Sequence, residues 1–201
     1  MKRILVSAKR VARSLKQQHF DRFVFIHINK TGGSSVEKAL NIPHEHKTAL
    51  EKIEEMGQKN WDEKLTFTII RNPLDKVVSH YHYRVKTNKT NLRDNPIEFK
   101  EWVRRAYGNQ DALFYDFPKM FMPQVNWIAD KNGKILVDEI VHFENLESEF
   151  NGILDKLGKN KNLPHVKKSD RGNYREYYDE ETSAIVRNRF AKDIEKFGYL
   201  F

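Results

Sequence analysis

Ile26-His27-Ile28-Asn29-Lys30-Thr31-Gly32-Gly33-Ser34-Ser35 is the stretch that decides the fold. It begins inside a short β-branched and aromatic run, Phe23 to Ile28, which has the pattern of a buried strand. It ends where Val36 to Leu40 reads as a helix, so the order is strand, glycine turn, helix. Two consecutive glycines let the backbone take positive φ and approach a ligand with no Cβ in the way. Amides at the opening of the next helix then converge on one spot, and the helix dipole adds partial positive charge. A tetrahedral anion fits such a place, with Lys30 as a mobile cation and Ser34 and Ser35 as hydroxyl donors.

Working outward, Thr48 to Met56 reads as a helix that Gly57 can close in αL geometry, and Leu65 to Ile70 as a second apolar strand. Strands bridged by helices make a parallel right-handed crossover the default. The expected class is therefore α/β, a P-loop-type three-layer fold with a central parallel sheet flanked by helices. Pro73 opens a helix whose apolar face carries Leu74, Val77, Val78, Tyr81 and Val85. Asn95-Pro96 reads as the cap of another, running to Tyr107. Val125 to Ala129 and Ile135 to Val141, joined through Asn132-Gly133, predict a small hairpin. Helices are expected at Asn145 to Leu157 and Asp179 to Lys196, with a basic loop, Lys159 to Tyr174, between them. The organisation is a basic N-terminal helix or extension, residues 1–19, and a single domain, residues 20–201.

In 201 residues there are 36 Lys+Arg against 28 Asp+Glu, a net charge of +8, with 39% hydrophobic and 12% aromatic residues. That describes a packed globule with a cationic surface and an anionic partner. The absence of cysteine excludes disulfides, thiolate metal sites and cysteine nucleophiles. No apolar run approaches the length of a membrane span. The protein reads as cytoplasmic, with peripheral membrane contact open to residues 1–19, which carry Lys2, Arg3, Lys9, Arg10, Arg13 and Lys16 and no acid before Asp21.

A second constellation, Ile69 to Ser79 (I-I-R-N-P-L-D-K-V-V-S), places Arg71 at the carboxyl end of a strand, the edge where open α/β sheets bind ligands. Ser79 follows on the polar face of the next helix, and the pair could grip a second phosphate. A Walker A loop carries its lysine after its glycines; here the order is reversed. That weakens a kinase or nucleoside triphosphatase reading, although Ile135 to Glu139 imitates a Walker B strand.

Together the two motifs resemble those of the sulfotransferases, in their carbohydrate and bacterial branch, whose signature is similar to H-I-P-K-T-G-G-T-S followed by R-N-P-x-x-R-x-x-S. The likeness extends through W-I-A-D-K-N-G-K-I-L-V-D, F-E-N-L and D-I-E-K-F-G-Y, and so over about residues 20–201. It implies a donor, 3′-phosphoadenosine 5′-phosphosulfate (PAPS), with Lys30, Thr31, Gly32, Gly33, Ser34 and Ser35 at the 5′-phosphosulfate and Arg71 and Ser79 at the 3′-phosphate. It implies no metal, and an acceptor hydroxyl on a glycan or another small molecule. Asn29, Ser34 and Lys76 depart from the usual proline, threonine and arginine.

Such a transfer needs a base. Between the motifs, Pro43 to Ala49 (P-H-E-H-K-T-A) carries a histidine where related enzymes have theirs; His46 matches best, with His44 and Glu45 as substitutes. Lys30 is the second catalytic candidate, meeting charge on the departing oxygen. His27 reads as a structural strand residue, and His80 and His82 as helix surface. Lys167, Lys168, Arg171 and Tyr174 are candidates for a lid over the nucleotide. Trp61, Trp102 and Trp127 fit core or rim packing better than stacking on a ligand. Besides the kinase or triphosphatase, the alternative is a non-catalytic polyanion binder; no nucleic-acid-binding motif is present.

Overall fold

A computed structural model describes residues 2–159 and 172–200, with side chains from residue 11 onward. In chain order they form helix α1 (Lys2–His19), strand β1 (Phe23–Ile26), helices α2 (Gly33–Leu40), α3 (Ala49–Met56) and α4 (Gln58–Asp62), strand β2 (Leu65–Ile70), helices α5 (Pro73–Lys86), α6 (Phe99–Val103) and α7 (Val125–Ile128), strand β3 (Glu139–His142), and helices α8 (Leu146–Lys156), α9 (Glu180–Arg189) and α10 (Ala191–Phe197). The class is α/β, with a parallel sheet of order β1-β2-β3 flanked by helices. Among the described residues no helix is long and apolar enough to cross a membrane. The chain divides into two compact units, Met1–Ile70 with Asn126–Lys167, and Arg71–Val125 with Lys168–Phe201.

The first unit is built on the sheet. Phe25 is in register with Phe67, and Ile69 with Val141. Phe67 and Phe150 are fully buried together, joined by Val36 and Leu40 of α2 and by Ile153 and Leu154 of α8. Each such side chain contributes roughly 1.5–3 kcal/mol by leaving water. Thr48 caps α3 in a reciprocal box: its hydroxyl accepts from the Glu51 amide at 3.2 Å, and the Glu51 carboxylate accepts from the Thr48 amide at 2.6 Å. Helix α1 buries Gln17 and leaves Val11 and Leu15 exposed.

The second unit is an aromatic core around Trp102, Phe121, Tyr107 and Phe190, closed by Leu74, Val77 and Val78 of α5. Asn72 caps α5 by accepting from the Leu74 amide at 3.0 Å, with Pro73 in the first turn.

Several sequence expectations are corrected. The hairpin shrinks to one antiparallel bridge, Ala129 to Ile135, around a turn in which Asp130 accepts from the Asn132 and Lys134 amides. Its first arm is helix α7 instead, because Asp193 accepts the Gln124 and Val125 amides at 2.7 and 2.9 Å and starts a helical turn there. Its second arm supplies β3, which pairs parallel to β2. Asn95-Pro96 does not open a helix. The Asn95 amide is spent on the Asn91 carbonyl, Tyr81 donates to the Ile97 carbonyl, and α6 starts only at Phe99 before passing into a π turn, Arg104–Gly108. The C-terminal helix breaks at Phe190, whose ring is buried in the core. Gly57 has φ 82° and ψ 147°, outside αL, and leads directly into α4. His80 is buried, its Nδ1 3.1 Å from the Tyr107 hydroxyl, and is not helix surface.

Candidate active site

In the first unit the Lys30–Ser35 loop follows β1 and opens α2. Thr31 is buried and donates its hydroxyl to the Ile28 carbonyl at 2.9 Å, which draws the turn tight. Lys30, with φ 66°, and Gly32, with φ 86°, both lie in the left-handed region. The glycines are needed for a reason that the sequence alone does not show: the protein itself fills the space beside them. A Cβ on Gly32 would lie 2.9 Å from the Phe143 ring, and one on Gly33 would lie 2.2 Å from Cδ2 of His27.

His27 is thereby part of the loop. It is buried, stacks on Phe25 at 5.7 Å, and places Nδ1 2.5 Å from one oxygen of Glu37, a buried residue of α2. The other Glu37 oxygen is 2.7 Å from Nδ1 of His44, whose ring is largely exposed. Burial alone would raise the Glu37 pKa, but hydrogen bonds and charge from His27 and His44 hold it below the usual carboxylate value. His27, Glu37 and His44 bring potential metal-ligand atoms within 4.8 Å of one another. Separations of 2.5 and 2.7 Å are those of hydrogen bonds, whereas a four-coordinate zinc with bonds of roughly 2.0–2.1 Å keeps its ligand atoms about 3.3 Å apart.

His46 completes the group. Its Nδ1 is 2.8 Å from the His27 carbonyl. A carbonyl can only accept, so Nδ1 carries the hydrogen and Nε2 is the accepting atom of the neutral ring. Burial, and then charge on His27, push the His46 pKa down to about 4. Its ring centroid stands 4.4 Å from His27, 5.1 Å from His44 and 6.2 Å from the buried Trp127. Glu45, the third residue read as a possible base, turns instead to the buried Lys52 and to Lys47. Trp61 and Trp102 are buried as well.

In the second unit Arg71 follows β2. Its backbone amide donates to the Gln124 side-chain oxygen at 2.9 Å, and the Gln124 amide donates back to the Arg71 carbonyl at 2.8 Å. Gln124 is held in turn by Asp193, which burial raises above the ordinary carboxylate pKa. Asp75 accepts from Nε and Nη2 of Arg71 at 2.9 and 2.6 Å and so fixes the plane of the guanidinium. Ser79 is half-buried on α5, and His82 on the same helix lies 2.9 Å from the Tyr177 hydroxyl. Lys76 is fully buried, 5.4 Å from the Phe190 ring.

The structure thus gathers Lys30 to Ser35, His44 and His46 in one unit and places Arg71 and Ser79 in the other. Lid candidates Lys167, Lys168 and Arg171 lie outside the described residues. Tyr174 is half-buried beside the guanidinium of Arg175. Sequence reasoning missed Glu37, Gln124 and Asp193 and undervalued His27. Their only signals were an acid one turn after the glycine pair and an acid within D-I-E-K-F-G-Y.

These features define an α/β protein with a glycine-turn loop beside a neutral histidine. The sulfotransferase family matches residues 13–200, nearly the whole chain, and the protein belongs to it. An uncharacterized protein of Archaeoglobus fulgidus is 34% identical over 103 residues, covering 51% of this chain and 75% of its own length. No solved structure matches. Membership assigns the chain to the sulfuryl transferases in general terms.

Proposed function

We propose that this chain moves a sulfuryl group from PAPS to a hydroxyl of a glycan or other acceptor. One observation carries the reading: His46, neutral and with Nε2 as its accepting atom, shares a unit with the Lys30–Ser35 loop, and the His27 ring packs against both. Lys30, Thr31, Gly32, Gly33, Ser34 and Ser35 bind the 5′-phosphosulfate in this proposal, and Arg71 with Ser79 the 3′-phosphate. Asp75 pre-sets the guanidinium for bidentate contact.

In the transfer, a bond forms between the acceptor oxygen and sulfur while the bond from sulfur to the 5′-phosphate oxygen breaks. The electron pair leaves on that phosphate oxygen, where Lys30 and the loop amides offset it, and the acceptor proton passes to Nε2 of His46. A kinase or triphosphatase reading loses its Walker B candidate, since the Asp138 carboxylate accepts from both the amide and the hydroxyl of Thr66 at 2.8 Å.

Calorimetry comparing adenosine 3′,5′-bisphosphate in excess chelator with ATP-magnesium tests the donor; tighter binding of ATP-magnesium ends the reading. Incubation with labelled donor and a panel of glycans, phenols and lipids, followed by product masses, identifies the acceptor.

A further inference from the structure

Within this reading we infer that Glu37 is a positioning residue of the transfer: its one buried carboxylate accepts a hydrogen from Nδ1 of both His27 and His44 and so fixes which nitrogen each imidazole presents. An ionised carboxylate can only accept, so both partners carry their hydrogen on Nδ1. In a neutral imidazole the other nitrogen, Nε2, is then the accepting atom. His46 reaches the same tautomer independently, through the His27 carbonyl. Glu37 therefore gives His44 the orientation that the backbone gives His46, and the loop carries two adjacent imidazoles with Nε2 basic. The bridge has a second effect. By holding Nδ1 of His27 it fixes the ring that lies against Gly33 and whose own carbonyl holds His46. One side chain of α2 thus sets the turn of the anion loop and the tautomer of an imidazole in the neighbouring segment.

Glu37→Gln is the discriminating variant because its amide has one accepting and one donating group. It can keep only one Nδ1–H partner, and the other imidazole must move its hydrogen to Nε2. His27 is held by Phe25 and Gly33, so His44 is the ring that switches. Long-range proton–nitrogen correlation spectra of 15N-labelled protein near pH 7.5 read the tautomers directly, with signals assigned through single-histidine variants. The unmodified protein is expected to show Nδ1–H for His27 and His44, and Glu37→Gln to show Nε2–H for His44. In that variant kcat should fall roughly 10- to 100-fold, less than the 10²–10⁴ a general base supplies. The Kd for adenosine 3′,5′-bisphosphate should stay within about threefold, because Glu37 is assigned no phosphate. His44→Asn alters an exposed ring and keeps the fold, and should reproduce the loss in kcat. Nε2–H on His44 in the unmodified protein, or full kcat in both variants, overturns the inference. If the unmodified protein does not bind the bisphosphate, the donor reading fails, and the tautomer spectra still decide whether the bridge exists.

Discussion

At His46, burial and the neighbouring His27 depress the pKa to about 4, so the ring is in its accepting form throughout the neutral range. His46→Ala is expected to lower kcat by about 10²–10⁴ while the bisphosphate Kd changes less than threefold; steady-state kinetics beside calorimetry check this split, and undiminished turnover removes His46 from the base role. The same shift fixes the sign of a pH effect. The unfolded imidazole takes a proton near 6.5 and the native one only near 4, so native stability falls as pH drops through that window. Melting temperatures between pH 7.5 and 5 should decline less in His46→Gln than in the unmodified protein. Lys30 was legible in the sequence because a lysine ahead of two glycines and two serines has few other uses. Glu37 was not, since an acid beside Lys38 on a short helix reads as solvated, whereas in the fold its carboxylate is buried against His27 and His44.

Among the elements, β1, β2, α5 and the start of α3 follow their sequence patterns, because apolar periodicity and local caps at Thr48 and Asn72 agree with the tertiary packing. The patterns fail where a distant side chain decides. Asp193 turns Val125–Ile128 into a helix, and burial of Phe190 splits the last one. The loop element gives a sharper test. Gly33→Ala puts a methyl group 2.2 Å from the His27 ring, so the ring or helix α2 must move. A stability loss on the order of 1–3 kcal/mol is expected by thermal or denaturant unfolding, together with loss of turnover. Thr48→Ala should cost about 1 kcal/mol through its cap and leave turnover intact.

For the molecule as a whole, a net charge of +8 makes some attraction to any polyanion unavoidable. The two kinds of binding separate by salt and by mutation. Retention on an anionic polymer should weaken steeply as salt rises and be indifferent to Lys30→Ala. Binding of the bisphosphate should lose at least tenfold in Lys30→Ala and vary far less with salt, and equal behaviour of the two ligands would favour plain charge attraction.

Lys52 has a consequence for how this protein can be shortened. Its ammonium is buried among Glu45, Glu55 and Gln17 of α1, so the cationic first helix closes the coordination of the residue that anchors the His44–His46 segment. A chain begun at residue 20 would expose that cation to water and loosen Glu45, and the two imidazoles beside it would lose their footing while the sheet stayed intact. Trimming the amino terminus should therefore cost turnover before it costs the fold.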